Sequence, residues 1–304
     1  MSGRITPAIL TSSVLDGLNS SMAALERTSS ELSSGKKILE PSDNPYGTSQ
    51  AIDLQSELDG LQSYTTGAQE GISWENTASS AMSNMSSVLQ NVRELLVRAP
   101  NGTYNAGDLQ HMAAEVDQLT EAVKQDANTQ YAGQYVFAGT DTTTAPYEQG
   151  AEDAYKANTG TIARAIGPGL SVVVNTDISS LLGSGQGAAD GKLLDTLRTI
   201  SEHLKGGTPA DVEALGSTDM QSLEASIETL TTLQAKAGSV TDQLQTAISR
   251  IEGLQGTITA GLSNVEDANV AETSIAYSNE QAAYEAALRA GASIVQESLL
   301  QFLQ

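Results

Sequence analysis

The sequence predicts a mainly α-helical chain with one small β excursion, in which both chain ends supply long antiparallel helices, a rod whose termini pair as a coiled coil. Three observations predict it. Apolar residues recur at alternating spacings of three and four near both ends. No proline falls between Thr48 and Arg98, and none follows Pro209. Between about 131 and 188 the helical period gives way to short apolar runs bounded by turn residues.

The elements follow in order. Val14, Leu18, Ser21, Leu25, Thr28 and Leu32 form a heptad-like stripe over 8–34, widened by Leu15 and Met22. Ser34-Gly35 ends that helix. The segment Pro41-Ser42-Asp43-Asn44-Pro45 holds two prolines that cannot sit inside a helix, so it reads as a structured turn, either a hinge between domains or a plain loop. From Thr48 to Arg98 the apolar positions Ala51, Leu54, Leu58, Leu61, Thr65, Ala68 and Ile72, then Met82, Met85, Leu89, Val92 and Leu96, keep helical spacing. Gly60, Gly67 and Gly71 weaken the pattern and leave room for a kink. Pro100-Asn-Gly turns the chain, and Leu109, Met112, Val116, Leu119 and Val123 return it. Residues 161–175 read as a β-hairpin around Gly167-Pro-Gly169. Gly183 to Gly191 reads as an exit linker, after which Leu193, Leu197, Ile200 and Leu204 resume helical spacing. A last stripe runs through Tyr277, Gln281, Tyr284, Leu288, Ala292, Val295, Leu299 and Phe302. Ile275, Ile294, Leu300 and Leu303 make a second apolar face with no internal partner, expected to be covered in an assembly.

Composition limits the functions open to such a chain. Its 304 residues carry a net charge of −22, which repels nucleic-acid phosphates and anionic membranes as main partners. The charge is uneven: residues 1–41 are neutral overall, and the acidic excess lies beyond them. The near-neutral N-terminus is the part most easily buried. Aromatics are only 4% of the chain, which suits close helix packing on narrow seams better than a thick core. No cysteine is present, so neither disulfides nor thiolate chemistry are open to it. The opening MSGRITPAIL has no apolar run of a signal peptide, and no window is apolar for long enough to span a bilayer.

No residue pattern points to catalysis, a metal or a cofactor, and the chain is not expected to be an enzyme. His111 and Glu115 lack the second histidine of a zinc motif, since His203 is far along the chain. Both histidines read as solvated helix-face residues. Glu152-Asp153 sits in a polar linker, and Gly183-Ser-Gly-Gln-Gly187 lacks the Lys-Ser/Thr that would hold a phosphate.

Leu32-Ser-Ser-Gly-Lys-Lys-Ile followed by Pro41-Ser-Asp-Asn-Pro45 resembles the N-terminal signature of the flagellin superfamily. The Pro-Ser-Asp-Asn-Pro form, the run from Asn128 through Tyr-Val-Phe-Ala-Gly-Thr-Asp to Ala145-Pro-Tyr147, and Ala282-Ala-Tyr-Glu-Ala-Ala-Leu with Ser298-Leu-Leu-Gln-Phe-Leu303 are similar to the hook-associated protein 3 branch. Residues 150–215 carry no motif of the family. The resemblance implies a core-lining terminal coiled coil (1–41 with 265–304), a helical rod domain (42–130 with 189–264) and an outer β-rich domain (131–188). It further implies export through the flagellar type III apparatus, a chaperone held at the C-terminus, and a ring of subunits at the hook–filament junction, between hook-associated protein 1 and flagellin. A filament flagellin is the nearest alternative. A ligand-binding or adhesive module on a helical scaffold is the more distant one.

Assembly is expected to rest on Val14, Leu18, Met22, Leu25 and Leu32 at one end and on Tyr277, Tyr284, Leu288, Val295, Leu299 and Phe302 at the other. A lone terminal helix pair gains roughly 1.5–3 kcal/mol per buried Leu-sized side chain. It loses about 1–2 kcal/mol per ordered residue. Both ends are therefore expected to be largely disordered until subunits meet, with an ordinary intramolecular coiled coil as the other reading.

Overall fold

A computed structural model describes residues 7–100, 105–150, 154–185 and 188–302; the side chains at 7–8, 10–11 and 294–302 lie outside the description. The elements are helices α1 (Pro7–Ser34), α2 (Pro45–Arg98) and α3 (Ala106–Ala127), then strands β1 (Gln130–Tyr131), β2 (Gln134–Tyr135), β3 (Ala163–Gly167) and β4 (Leu170–Val173), then helices α4 (Ser179–Leu182), α5 (Leu193–Gly206), α6 (Pro209–Gly216), α7 (Thr218–Glu266) and α8 (Val270–Phe302). Two compact units result: residues 1–60 with 254–304, and residues 61–253. The mainly helical fold with a small β part is therefore as the sequence predicts.

In the larger unit, the apolar positions of α2, α3, α5 and α7 meet in one core that includes Met82, Leu89, Val116, Leu197 and Leu230. Local signals set the helix ends. Asn105 Oδ1 accepts the Asp108 amide at 3.0 Å while Asp108 returns the bond to the Asn105 amide, a reciprocal cap at the start of α3. Thr208 and Asp211 repeat that arrangement at α6, with Pro209 in the first turn. Gly207, with φ +60°, closes α5 through its amide on His203 O.

The glycines of α2 do not break it; the helix is continuous for 54 residues, about 80 Å at 1.5 Å per residue. Gly71 is used for close packing. A Cβ there would meet Val174 Cγ1 at 3.0 Å and Leu244 Cδ1 at 3.1 Å. The proline-free stretch after Pro209 is interrupted, however, at Ser217, whose φ of −125° and ψ of −85° part α6 from α7. There Gly216 lies against the Pro100 ring. A second interruption, at Asp267–Asn269, parts α7 from α8.

The β segment follows its turn chemistry. β3 and β4 pair antiparallel about Pro168-Gly169, with Gly169 at φ +70°, as a type II turn requires. β1 and β2 pair about Ala132 and Gly133, both at positive φ, as in a type I′ turn. Val136, Phe137 and Ala138, read from sequence with the β segment, are buried without strand pairing. The short helix α4, unsignalled by periodicity, buries Leu181 and Leu182.

The run from Asn128 to Tyr147 is held by its own ends. Asn128 Nδ2 donates to Tyr147 O at 2.6 Å and Asn128 Oδ1 accepts the Tyr147 amide at 3.0 Å. The buried Tyr147 hydroxyl donates to Gly183 O at 2.6 Å. Tyr147→Phe leaves that carbonyl without the hydroxyl and is expected to cost about 1–2 kcal/mol in a denaturant melt. Gly71→Leu forces a branched side chain between Val174 and Leu244 and is expected to cost about 1–3 kcal/mol in the same assay.

Candidate assembly surface at the paired chain ends

In the smaller unit the first helix packs against the last. Two anchors fix the register. Lys36 and Asp267 form an antiparallel bridge, and a Cβ on Gly291 would lie 3.1 Å from Val14 Cγ1. The antiparallel register between these anchors places Leu18 opposite Ala287, Ser21 opposite Tyr284, Leu25 opposite Glu280 and Thr28 opposite Tyr277. Each of these is half-buried, in step with the three-and-four spacing of the seam. The seam is lean: Ser21, Ala287 and Gly291 contribute little apolar bulk, and none of the larger residues in it is fully buried.

The residues expected to drive assembly therefore divide. Val14, Leu18, Leu25, Tyr277 and Tyr284 face the partner helix of the same chain. Met22 (46% exposed), Leu32 and Leu288 (44% exposed) do not. Met22 and Leu288 each follow a seam position by one residue, as Leu15 (54% exposed) follows Val14, whereas Leu32 is the end of the stripe itself, four residues after Thr28. In an antiparallel pair, positions that follow the seam on both helices lie on the same side. Leu15, Met22 and Leu288 thus form one exposed apolar side of the pair. Ile275, placed by sequence on a second apolar face, is 64% exposed. The side chains of Val295, Leu299, Phe302, Ile294 and Leu300, and all of Leu303, lie outside the described residues.

The segment between α1 and α2 is tied down rather than slack. Gly35, at φ +71°, stops α1 with its amide on Glu31 O and its carbonyl accepting the Ala268 amide at 2.8 Å. The Lys37 amide donates to Glu266 O at 2.7 Å, Lys37 Nζ to Asn264 O at 2.7 Å, and Lys36 pairs with Glu266. Within Pro41–Pro45, Asp43 is the organiser. Its Oδ2 accepts the Leu39 and Glu40 amides, both at 3.0 Å, and its Oδ1 lies 3.2 Å from Arg27 Nη1. The amides of Glu40 and Leu39, then the Arg27 guanidinium, hold the Asp43 carboxyl below the usual range. Asn44 Oδ1 caps α2 on the Gly47 amide at 2.9 Å, with Pro45 in the first turn. Ser42 donates to Glu40. A groove of about 310 Å³ runs beside this segment, lined by Ile38, Leu39, Pro41, Ile52 and Leu262 among others. Periodicity could not reveal the ties of Gly35, Lys36 and Lys37, because they reach residues more than 200 positions away.

The residues weighed for chemistry lie apart from one another. His111 and Glu115 are exposed on α3, as read from sequence. His203 is not simply solvated: its Nδ1 lies 2.7 Å from Oδ2 of the buried Asp219, which pins the end of α5 to the start of α7. Glu152 and Asp153 lie outside the described residues, as do two positions of the 183–187 run. Among the described residues no cluster of His, Cys, Asp or Glu is arranged for a metal. No described helix is long and apolar enough to cross a membrane.

Comparison with known proteins gives a consistent result. Residues 5–142 match the bacterial flagellin N-terminal helical region, and residues 220–303 match the C-terminal helical region. Flagellar hook-associated protein 3 of Escherichia coli (strain K12) is 26% identical over 304 residues, covering 94% of this chain and 95% of that one. The flagellin of Bacillus subtilis (strain 168) is 26% identical over 277 residues, covering 88% of each. A putative flagellar hook-associated protein from Vibrio parahaemolyticus shares the fold, with a TM-score of 0.67 at 14% identity over 74% of this chain and 100% of that one.

Two outcomes are expected. Asp43→Ala raises amide exchange at Leu39 and Glu40 about tenfold or more. The Asp43 contribution is full at neutral pH and is lost as pH falls through the carboxyl's depressed value, so the variant and the parent converge in acid. Gly291→Leu drives a side chain into Val14 and is expected to raise exchange along α1 in the assembled subunit while leaving α3 and α5 unchanged.

Proposed function

The chain belongs to the flagellin family, and we propose that it is a structural subunit of the bacterial flagellum that joins the hook-associated region to the flagellin filament. The observation that carries this reading is the exposed apolar side formed by Leu15, Met22 and Leu288 on the paired chain ends. A lean internal seam with larger apolar residues beside it has more apolar surface to bury between subunits than within one. The nearly end-to-end likeness to hook-associated protein 3 of E. coli supports the junction role over that of a bulk filament subunit.

In this reading the subunit acts by assembly and needs no catalytic group or cofactor. Subunits close into a ring with hook-associated protein 1 on one side and flagellin on the other. The paired form of α1 and α8 belongs to the assembled ring, and pairing is coupled to subunit contact. Export through the flagellar type III apparatus, with a chaperone on the C-terminus, delivers the chain unassembled. The terminal pair lines the core, the 42–130 and 189–264 segments form the rod, the 131–188 segment lies outermost, and Pro41–Pro45 is the hinge between terminal pair and rod.

Electron microscopy of flagella from a strain lacking this gene tests the role. Hooks without filaments, with flagellin shed into the medium, are expected; normal filaments on hooks would overturn the junction reading. The second reading, a filament flagellin, is favoured by the likeness to flagellins such as that of B. subtilis. Long homopolymers from the purified chain alone would decide for it. Leu15→Glu with Met22→Glu is expected to leave the helix content of the free subunit unchanged within a few per cent. It is expected to reduce filament-bearing cells about tenfold or more, since each buried charge without a partner costs several kcal/mol.

A further inference from the structure

The buried side-chain polar atoms left without a hydrogen bond among the described residues lie close together in the fold. They are Trp74 Nε1, Glu75 Oε2 and Arg164 Nε. Trp74 and Glu75 are adjacent on α2, 4% and 1% exposed. Arg164 on β3 reaches the same stretch of helix: its Cγ would lie 3.7 Å from a Cβ on Gly71, and its Nη2 is 3.7 Å from Glu70 Oε2. Here the β3–β4 hairpin and α7 both close on α2, through Val174 and Leu244 against Gly71. A carboxylate with an unanswered oxygen in a packed interface is costly when ionised and far cheaper when neutral.

We infer that Glu75 is a proton-operated latch: its neutral form lets α2 pack closely against α7 and the β3–β4 hairpin, and its ionisation loosens that packing.

The charged and titratable groups around it fit the assignment. Lys236 on α7 is the cation that acts on Glu75, and among the described residues no hydrogen bond answers Glu75 Oε2. From the hairpin, Arg164 is directed to Glu70 rather than to Glu75. From β1, Tyr131 meets the Trp74 ring edge-on at 6.2 Å. Burial pushes the Glu75 carboxyl up to about 7, against the opposing pull of Lys236. A carboxyl raised on folding costs stability as pH climbs from its ordinary range, and the cost is complete once pH exceeds the raised value. The latch is therefore closed in mild acid and open on the alkaline side of neutrality. A subunit crossing that range changes the order of its scaffold with no change to its assembly surface.

Trp74 is the only tryptophan of the chain and adjoins the latch, so its fluorescence reports the opening directly. The full-length chain is titrated from about pH 5.5 to about pH 9, following tryptophan emission and the amide exchange of residues 68–82, corrected for intrinsic rates. The expected result is a red shift and a rise in exchange with a midpoint near 7. Glu75→Gln should hold the mild-acid emission across the whole range, and Lys236→Met should move the midpoint upward. A flat wild-type titration would overturn the latch, as would a transition that survives in Glu75→Gln. NMR titration of the Glu75 side-chain carbon in the unsubstituted protein needs no variant; an ordinary carboxylate midpoint there overturns it too.

Discussion

The first and last helices must find one another across the whole length of the chain, and the rest of the architecture answers to that requirement. Backbone bonds from Gly35 and Lys37 to Ala268 and Glu266 tie the outgoing pass to the returning one before the long helices begin. The helices α2 and α7 are of similar length, 54 and 49 residues, and within residues 61–253 their apolar positions share one core. Everything between Arg98 and Thr218 is then a return path. It is built from shorter helices, turns and a small β segment, and its α3 and α5 complete the core to which α2 and α7 contribute.

The terminal pair illustrates how packing and assembly compete for the same residues. A seam strong enough to fold alone would bury its leucines inside the subunit and leave nothing to offer a neighbour. Here Ser21, Ala287 and Gly291 occupy seam positions, while Leu15, Met22 and Leu288 sit one residue away from it. The one-position offset has a large effect, since a single step turns a side chain through about 100° on a helix.

That offset also marks how far the sequence could be read. The helices were legible because their apolar residues keep a helical period and their prolines stand only at ends, and the hairpin because Gly167-Pro-Gly169 allows little else. The terminal stripes were legible as stripes. Which member of each faces inward was not, because Met22 and Leu25 differ by a fraction of a turn and only the partner's register decides between them. The breaks at Ser217 and Asp267–Asn269 went unsignalled because neither holds a proline, and each depends on a distant residue, Pro100 or Gly35. Asp43 was read as part of a turn, but its grip on two amides and on Arg27 needs the three-dimensional path of the chain. Glu75 looked like one more acid in an acidic chain until its burial was known.

The bonds that gather Asn128, Tyr147 and Gly183 have a consequence for how such a chain can change over time. The stretch between Asn128 and Gly183 has its ends fastened together there, and its hairpin and Phe137 pack on the helices besides. A loop whose two ends are already fastened together can be lengthened at small entropic cost, because closure grows only with the logarithm of its length. The exposed turns of such a stretch can be lengthened, trimmed or replaced by other sequence while the packed hairpin and the helices beneath keep their spacing. Their size is therefore free to drift at a rate the scaffold does not set.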